Sequence, residues 1–300
     1  GQALAKNGTS FRGKRVVIAG SGPLLLPVAA NLSRNGAKLL IVAEQAPRAR
    51  VARFAAGLWR RPLTLVQAAT LRAGFLRTPF RTGTWIASAR GDTTVREVTL
   101  TDGQSTRVLE CDVLCAAFGL VPNTELARLL GCRVDGGEVV VDDRQATTMS
   151  DVYCCGEPTG IGGVDLALVE GEIAGLSAAG RRASAALVSR RARHRRDARH
   201  LGRAFALRPE LFKLAEADTI VCRCEDVRWG ALDRNWSTRQ AKLYTRVGMG
   251  PCQGRVCGAA LECLMGWPAD SVRVPTQPAH CRTLIGQSST DRLPSEQGAS

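Results

Sequence analysis

Short apolar runs separated by glycine-bearing turns set the pattern of residues 1–180. Arg15-Val-Val-Ile-Ala19 is a β run that leads into Gly20-Ser-Gly-Pro-Leu-Leu-Leu26. The spacing then predicts an amphipathic helix from Leu25 to about Asn35, a stop at Gly36, and a second strand over Lys38 to Ala43. Strand, glycine turn, helix, strand is the opening of a doubly wound α/β domain. From Trp85 to Leu109 the pattern becomes β-rich, and Asp102-Gly103 between alternating runs predicts a hairpin. Asp112 to Ala117 reads as another strand, ended by Gly119. Val139 to Asp142 and Val152 to Cys155 read as two more short strands. The second runs into Gly156-Glu157 and Gly160-Ile-Gly-Gly163, and a helix follows from about Val164 to Ala179.

Composition narrows the class. The chain has 300 residues, 45% hydrophobic and 23% charged, which excludes collagen-like and wholly disordered architectures and provides for two or three domains. No run of about 18 apolar residues predicts a transmembrane helix, and Gly1 to Arg15 lacks the apolar core of a secretory signal. A cytoplasmic location is therefore expected, with peripheral contact to a membrane left open. The formal charge is +14, and Arg181 to Arg199 alone carries eight arginines against one acid, Asp197. That stretch reads as a linker or surface helix, solvated or docked on an acidic face of a partner. It lacks the aromatic interleaving that base stacking requires, which disfavours nucleic acid.

Eleven cysteines without a secretory signal point to metal or redox chemistry rather than a disulfide scaffold. Seven (Cys111, Cys115, Cys132, Cys154, Cys155, Cys263 and Cys281) show no ligand-like pairing. The other four form Cys222-Arg-Cys224 and Cys252-Gln-Gly-Arg-Val-Cys257, a C-x-C and a C-x4-C pair separated by 27 residues. Four thiolates can hold a [2Fe–2S] cluster, two sulfurs to each iron. Gly248-Met-Gly-Pro-Cys252 supplies the turn such ligands need, and Gly254 and Gly258 let amides approach the sulfurs. Arg223, Arg246 and Arg255 are placed to offset the charge of a tetrathiolate centre. Structural zinc, which favours pairs two to four residues apart, and four unconnected core cysteines are the competing readings.

Val221-Cys-Arg-Cys-Glu225, Tyr244-Thr-Arg246 and Gly248 to Cys257 resemble the small helical [2Fe–2S] domain of bacterioferritin-associated ferredoxin. Together with Val16 to Leu26 and Gly156 to Leu168, they resemble a fusion of that unit to a flavoprotein. This is the FAD/NAD(P)-binding subunit of amine dehydrogenases and oxidases, of the opine oxidase, hydrogen cyanide synthase and D-hydroxyproline dehydrogenase type. The resemblance covers nearly the whole chain and implies a two-dinucleotide flavoprotein fold with a helical cluster domain.

A glycine turn at a helix N-terminus suits pyrophosphate because free amides and the helix dipole face the anion. Gly20 and Gly22, with Pro23 beside them, fit the dinucleotide fingerprint, whereas its third glycine is replaced by Leu25. Glu44, at the end of the second strand, suits an acid that binds adenine ribose hydroxyls, with Arg48 and Arg50 just beyond as alternatives for a 2′-phosphate. NAD(P) or another adenine nucleotide is the candidate ligand. The resemblance further implies that Gly119, Pro122 and Asn123 belong to the segment returning near the flavin. It implies that Gly156 and Glu157 meet the FAD ribityl chain, and that the helix after Gly162 points at the isoalloxazine end. It also implies a first FAD-gripping fingerprint ahead of this region, which nothing before Arg15 supplies, so the complete subunit rather than this stretch is expected to bind FAD.

The expected plan is a connector over 1–14, an inserted nucleotide domain over 15–110 and the C-terminal part of the FAD domain over 111–180. A basic linker over 181–209, the cluster domain over 210–267 and a tail over 268–300, mobile at its end, complete it. The resemblance implies an electron-transfer subunit whose flavin-containing partner oxidises amino acids, imino acids or opines at a C–N bond, in a hetero-oligomer. A self-contained NAD(P)H-dependent flavin and iron–sulfur reductase is the alternative, and a non-catalytic iron–sulfur sensing or DNA-binding module is a third. No Ser/His/Asp or Cys/His arrangement is found, and the three histidines, His194, His200 and His280, lie away from the nucleotide motifs.

Overall fold

A computed structural model describes residues 7–267 together with Val272, Val274 and Thr276. The tail expectations, including Cys281 and His280, lie outside the described residues.

Strands β1 (Arg15–Gly20), β2 (Lys38–Glu44), β3 (Phe80–Thr82) and β7 (Val113–Ala117) form one parallel sheet in the order β3-β2-β1-β7. Strand β1 is central, and its side chains are buried on both faces from Val16 onward. Val16 and Ile18 pack on helix α1 (Leu25–Arg34) with Leu25, Ala29, Leu32 and Phe75. Val17 and Ala19 pack on the other face with Ile41, Val98, Leu100 and Cys111. Each fully buried aliphatic side chain there contributes about 1.5–3 kcal/mol, which accounts for the continuous apolar run of a sheet covered on both sides.

The second cover is the antiparallel sheet β4 (Trp85–Gly91), β5 (Val95–Thr101) and β6 (Thr106–Glu110). Its β5–β6 turn follows the expected Asp102-Gly103: the Asp102 carboxylate accepts from the Gln104 and Ser105 amides, and Gly103 has φ +91°. Helix α1 stops where Gly36, at φ +80°, leaves the right-handed region. Pro27 is harmless in its first turn, where amides have no intrahelical acceptor.

Helices α2 (Arg48–Gly57) and α3 (Pro62–Ala73) connect β2 to β3 and bury no residue fully. Beyond β7 come the short helix α4 (Glu125–Leu129) and a two-residue hairpin, β8 (Val134–Asp135) with β9 (Glu138–Val139). The two strands expected at 139–142 and 152–155 do not form as such. Val139 ends β9, and 152–155 makes a single bridge, Ala146 to Tyr153. Gln145, held at φ +61°, turns the opposing backbone out of strand geometry and stops the ladder.

Helix α5 (Val164–Ala178) packs on helix α6 (Ala185–Ala204) through Val169, Ile173 and Leu187. Helix α6 is the arginine stretch, and it is anchored rather than a free connector: Arg191 is buried and binds Asp143 and Gln145. A separate apolar cluster then gathers Cys222, Val227, Ala241, Val247, Cys257, Leu261 and Trp267. It is built on β10 (Ile220–Cys222), β11 (Val227–Arg228), α7 (Thr238–Thr245) and α8 (Gly258–Met265). Helix α7 begins with a reciprocal cap between Ser237 and Gln240. Among the described residues no helix is long and apolar enough to cross a membrane.

Candidate functional site

The four paired cysteines lie in one small unit of the fold. Cys222 closes β10, Cys224 sits two residues on in a turn, and Cys252 and Cys257 bound the loop that enters α8. Cys224 lies beside Cys252, and Cys257 lies beside Cys222. Cys222 and Cys257 are buried in the apolar cluster, whereas Cys224 is exposed. Burial, reinforced by Cys222, pushes the Cys257 thiol up to about 12. Backbone amides of the loop, Val256 foremost, hold the Cys252 thiol below the usual range, and the Arg255 amide donates to the Cys252 carbonyl oxygen at 3.1 Å. The turn is tight: a Cβ on Gly250 would stand 2.3 Å from the Cys224 Cβ.

The thiols form two pairs rather than one closed ring. Among the described residues, no three or more His, Cys, Asp or Glu side chains converge closely enough to hold a metal ion. Two of the arginines expected to balance a cluster are otherwise engaged. Arg246 donates to Glu225 at 2.7 Å, and Arg255 to Glu125 at 3.1 Å.

At the glycine turn, Gly20 is required by packing, since a Cβ there would lie 1.8 Å from the Ala117 carbonyl oxygen. Gly22 adopts φ +96°. Glu44 is buried with both oxygens in use: Oε2 accepts the Gly22 amide and Oε1 the Ala46 amide, each at 2.7 Å. Burial pushes its carboxyl above the usual range against the pull of those two amides. Pro23 is exposed and carries no N–H, and the Leu25 and Leu26 amides close tight turns onto the carbonyls of Gly22 and Pro23.

The residues assigned to the flavin segment lie on two stretches. Gly119 takes φ +121°, and the Asn123 side chain accepts the Glu125 amide as α4 begins after Pro122. Gly156, at φ +78°, donates to the buried Glu170 at 2.9 Å. Glu157 Oε1 accepts the Gly163 amide at 2.9 Å, while its Oε2 is buried without a hydrogen-bond partner. A Cβ on Gly162 would come within 2.2 Å of Leu166. A cavity of ≈ 440 Å³ brings the two stretches together, with Asn123, Leu126, Tyr153, Cys154 and Pro158 in its wall.

Sequence reasoning missed the support behind Glu157. Glu170 accepts from the Gly156 amide, the Thr159 hydroxyl and Arg195, whose guanidinium also reaches Gln145. A glutamate directly after the apolar run Leu166-Ala-Leu-Val169 was the available signal.

The chain is similar to several known proteins. The pyridine nucleotide-disulphide oxidoreductase family matches residues 2–179. The HcnB component of hydrogen cyanide synthase from Pseudomonas aeruginosa is 31% identical over 87% of this chain and 61% of that protein. A match over 87% of 300 residues necessarily runs through the four cysteines. An opine oxidase subunit from Rhizobium meliloti strain 1021 is 36% identical over 49% of this chain and 36% of that protein. The chain thus spans about three fifths or less of the length of these relatives. Among solved structures, the thioredoxin reductase of T. acidophilum aligns at 25% identity with a TM-score of 0.41, covering 63% of this chain and 54% of the other.

Proposed function

The chain belongs to the pyridine nucleotide-disulphide oxidoreductase family, and from that premise we propose that it is part of an electron-relay subunit of a multi-subunit dehydrogenase or oxidase. Its cluster site is Cys222, Cys224, Cys252 and Cys257, and its cofactors are a [2Fe–2S] centre and, in the complete subunit, FAD. Its partner is a flavin-containing subunit that oxidises an amino acid, imino acid or opine at a C–N bond. The observation that supports this reading is the placement of the four cysteines as two neighbouring pairs at one apolar core, with the loop between Cys252 and Cys257 tied through Arg255 to Glu125, next to the segment proposed to lie near flavin.

The donor set suits a cluster in its chemistry, four thiols and no harder ligand, with the backbone of the loop favouring the thiolate form of Cys252. The flavin segment fits FAD in one respect, the buried and unpartnered Oε2 of Glu157, which suits a ligand hydroxyl. When bound, a [2Fe–2S] centre supplies one-electron carriage and FAD supplies exchange between two-electron and one-electron steps. The chain's own residues hold and shield these groups. Glu170, Arg195 and Gln145 fix the Gly156–Glu157 turn, and Val227, Leu261 and Trp267 keep water from the inner thiol pair.

Anaerobic purification, followed by visible and EPR spectra after dithionite reduction with iron and zinc counted on the same sample, tests the assignment. Two irons per chain with a reduced [2Fe–2S] signal is the expected result; zinc without iron makes the four cysteines a structural clip and ends the relay reading.

A further inference from the structure

In folds of this kind a dinucleotide lies across the carboxyl ends of the strands, its pyrophosphate on the glycine turn and its adenine ribose beside the end of β2. In this chain that edge is covered from within. Ser21 is buried at the turn, as are Glu44, Gln45 and Ala46 at the end of β2. What covers them is the segment that leaves α6. The Ser21 hydroxyl donates to the Phe205 carbonyl at 2.7 Å. The Gln45 amide donates to the Ala206 carbonyl at 3.2 Å and accepts the Arg208 N–H at 3.2 Å. The Phe205 ring stands edge-on to Phe54, 5.3 Å between centroids, and the Arg208 guanidinium lies 3.6 Å over the Trp85 ring.

The polar groups of Ser21, Glu44 and Gln45 are thereby committed. The Gly22 amide serves Glu44, both Glu44 oxygens serve amides, and Ser21 and Gln45 serve residues 205–208. The segment is not a loose end. The helix before it is held by Arg61 on Asp197, by Arg195 on Glu170 and by Arg191 on Asp143.

We infer that residues 205–208 form an intramolecular plug that bars pyridine nucleotides from the family's nucleotide cleft, so that this chain does not draw electrons from NAD(P)H. The inference rests on the family reading of the sheet edge and not on the cluster, so iron content and nucleotide affinity report on the two separately.

The test is titration of the full chain with NADH, NADPH and ADP, followed by calorimetry; ADP isolates the adenosine half that meets Ser21 and Gln45. The wild-type chain should show no saturable binding up to about 1 mM, the upper end of ordinary enzyme affinities. The pair Phe205→Ala and Arg208→Gly, checked for fold by circular dichroism, should gain binding of at least one of the three by about tenfold or more. Saturable wild-type binding overturns the plug, and so does a folded variant that still binds none. Should the double variant fail to fold, Arg208→Ala alone and hydrogen exchange on the wild-type chain decide. Excess NADPH should leave exchange at 20–22 and 205–208 unchanged, and added protection there overturns the inference.

Discussion

The Arg255 guanidinium donates to the Glu125 carboxylate at 3.1 Å across 130 residues of sequence, joining the loop between Cys252 and Cys257 to the helix that follows Pro122-Asn123. Both side chains keep under a third of their exposure, so the contact is neither a free surface pair nor a buried one. It sets the cysteine loop against the stretch proposed here to lie near flavin.

Removing either partner, as Arg255→Ala or Glu125→Gln, should cost about 0.5–1 kcal/mol, and the double variant little more than either single one. Urea unfolding of the four proteins measures this. Strict additivity of the two losses would show that the pair contributes no coupling.

Cys252→Ser should lose most of the bound iron, because Cys252 is one of the four sulfurs of the proposed cluster site and its loop favours the thiolate form. Cys263→Ser, an exposed position on α8, should keep it. Iron analysis of the two variants, purified anaerobically alongside the wild-type chain, distinguishes a ligand from a bystander.

Glu170→Gln should destabilise the chain by about 2–3 kcal/mol, since it takes a charge from a buried group that serves Arg195, Gly156 and Thr159. The loss stays at the lower end because Arg195 remains one-third exposed and can rehydrate. Hydrogen exchange should rise first at residues 156–160, where Glu170 holds the turn.

Gly20→Ala should cost about 3 kcal/mol or more, for a Cβ at 1.8 Å from a backbone carbonyl forces β1 and β7 apart. Gly22→Ala fails for a different reason, the positive φ at an otherwise open position. Thermal unfolding of the two variants, with near-UV dichroism for β1 packing, separates them.

The Arg15 guanidinium and backbone N–H both reach Asp112 and hold its carboxyl below the usual aspartate range. A carboxyl with a lowered folded-state value stabilises fully above its unfolded value of about 3.9 and loses that contribution as pH falls through the folded value. Asp112→Asn should therefore flatten the acid limb of the stability profile below about pH 4. A limb of unchanged steepness would assign acid unfolding to other groups.

The elements that carry a strong local period were legible. The helix expected from Leu25 to about Asn35 spans Leu25–Arg34, and the strand expected over Lys38 to Ala43 spans Lys38–Glu44. Helices α2 and α3 left no comparable signal because neither buries a residue fully, so no apolar stripe marks a face. The run Val152 to Cys155 has strand composition, yet a strand requires a neighbour, and the backbone opposite it bends away at Gln145.

The order of residues was enough for the βαβ opening, the glycine turn and the spacing of the four cysteines, because periodicity, turn chemistry and ligand spacing are properties of residues near one another in the chain. The partners of the charged and polar groups were settled in three dimensions alone. Glu44 turned inward to two amides, Arg255 crossed to Glu125, the arginine helix found Glu170 and Asp143, and residues 205–208 covered Ser21 and Gln45. A charge or amide takes whichever complementary group the packed core brings within about 3 Å, and core packing depends on contacts between residues far apart in the chain.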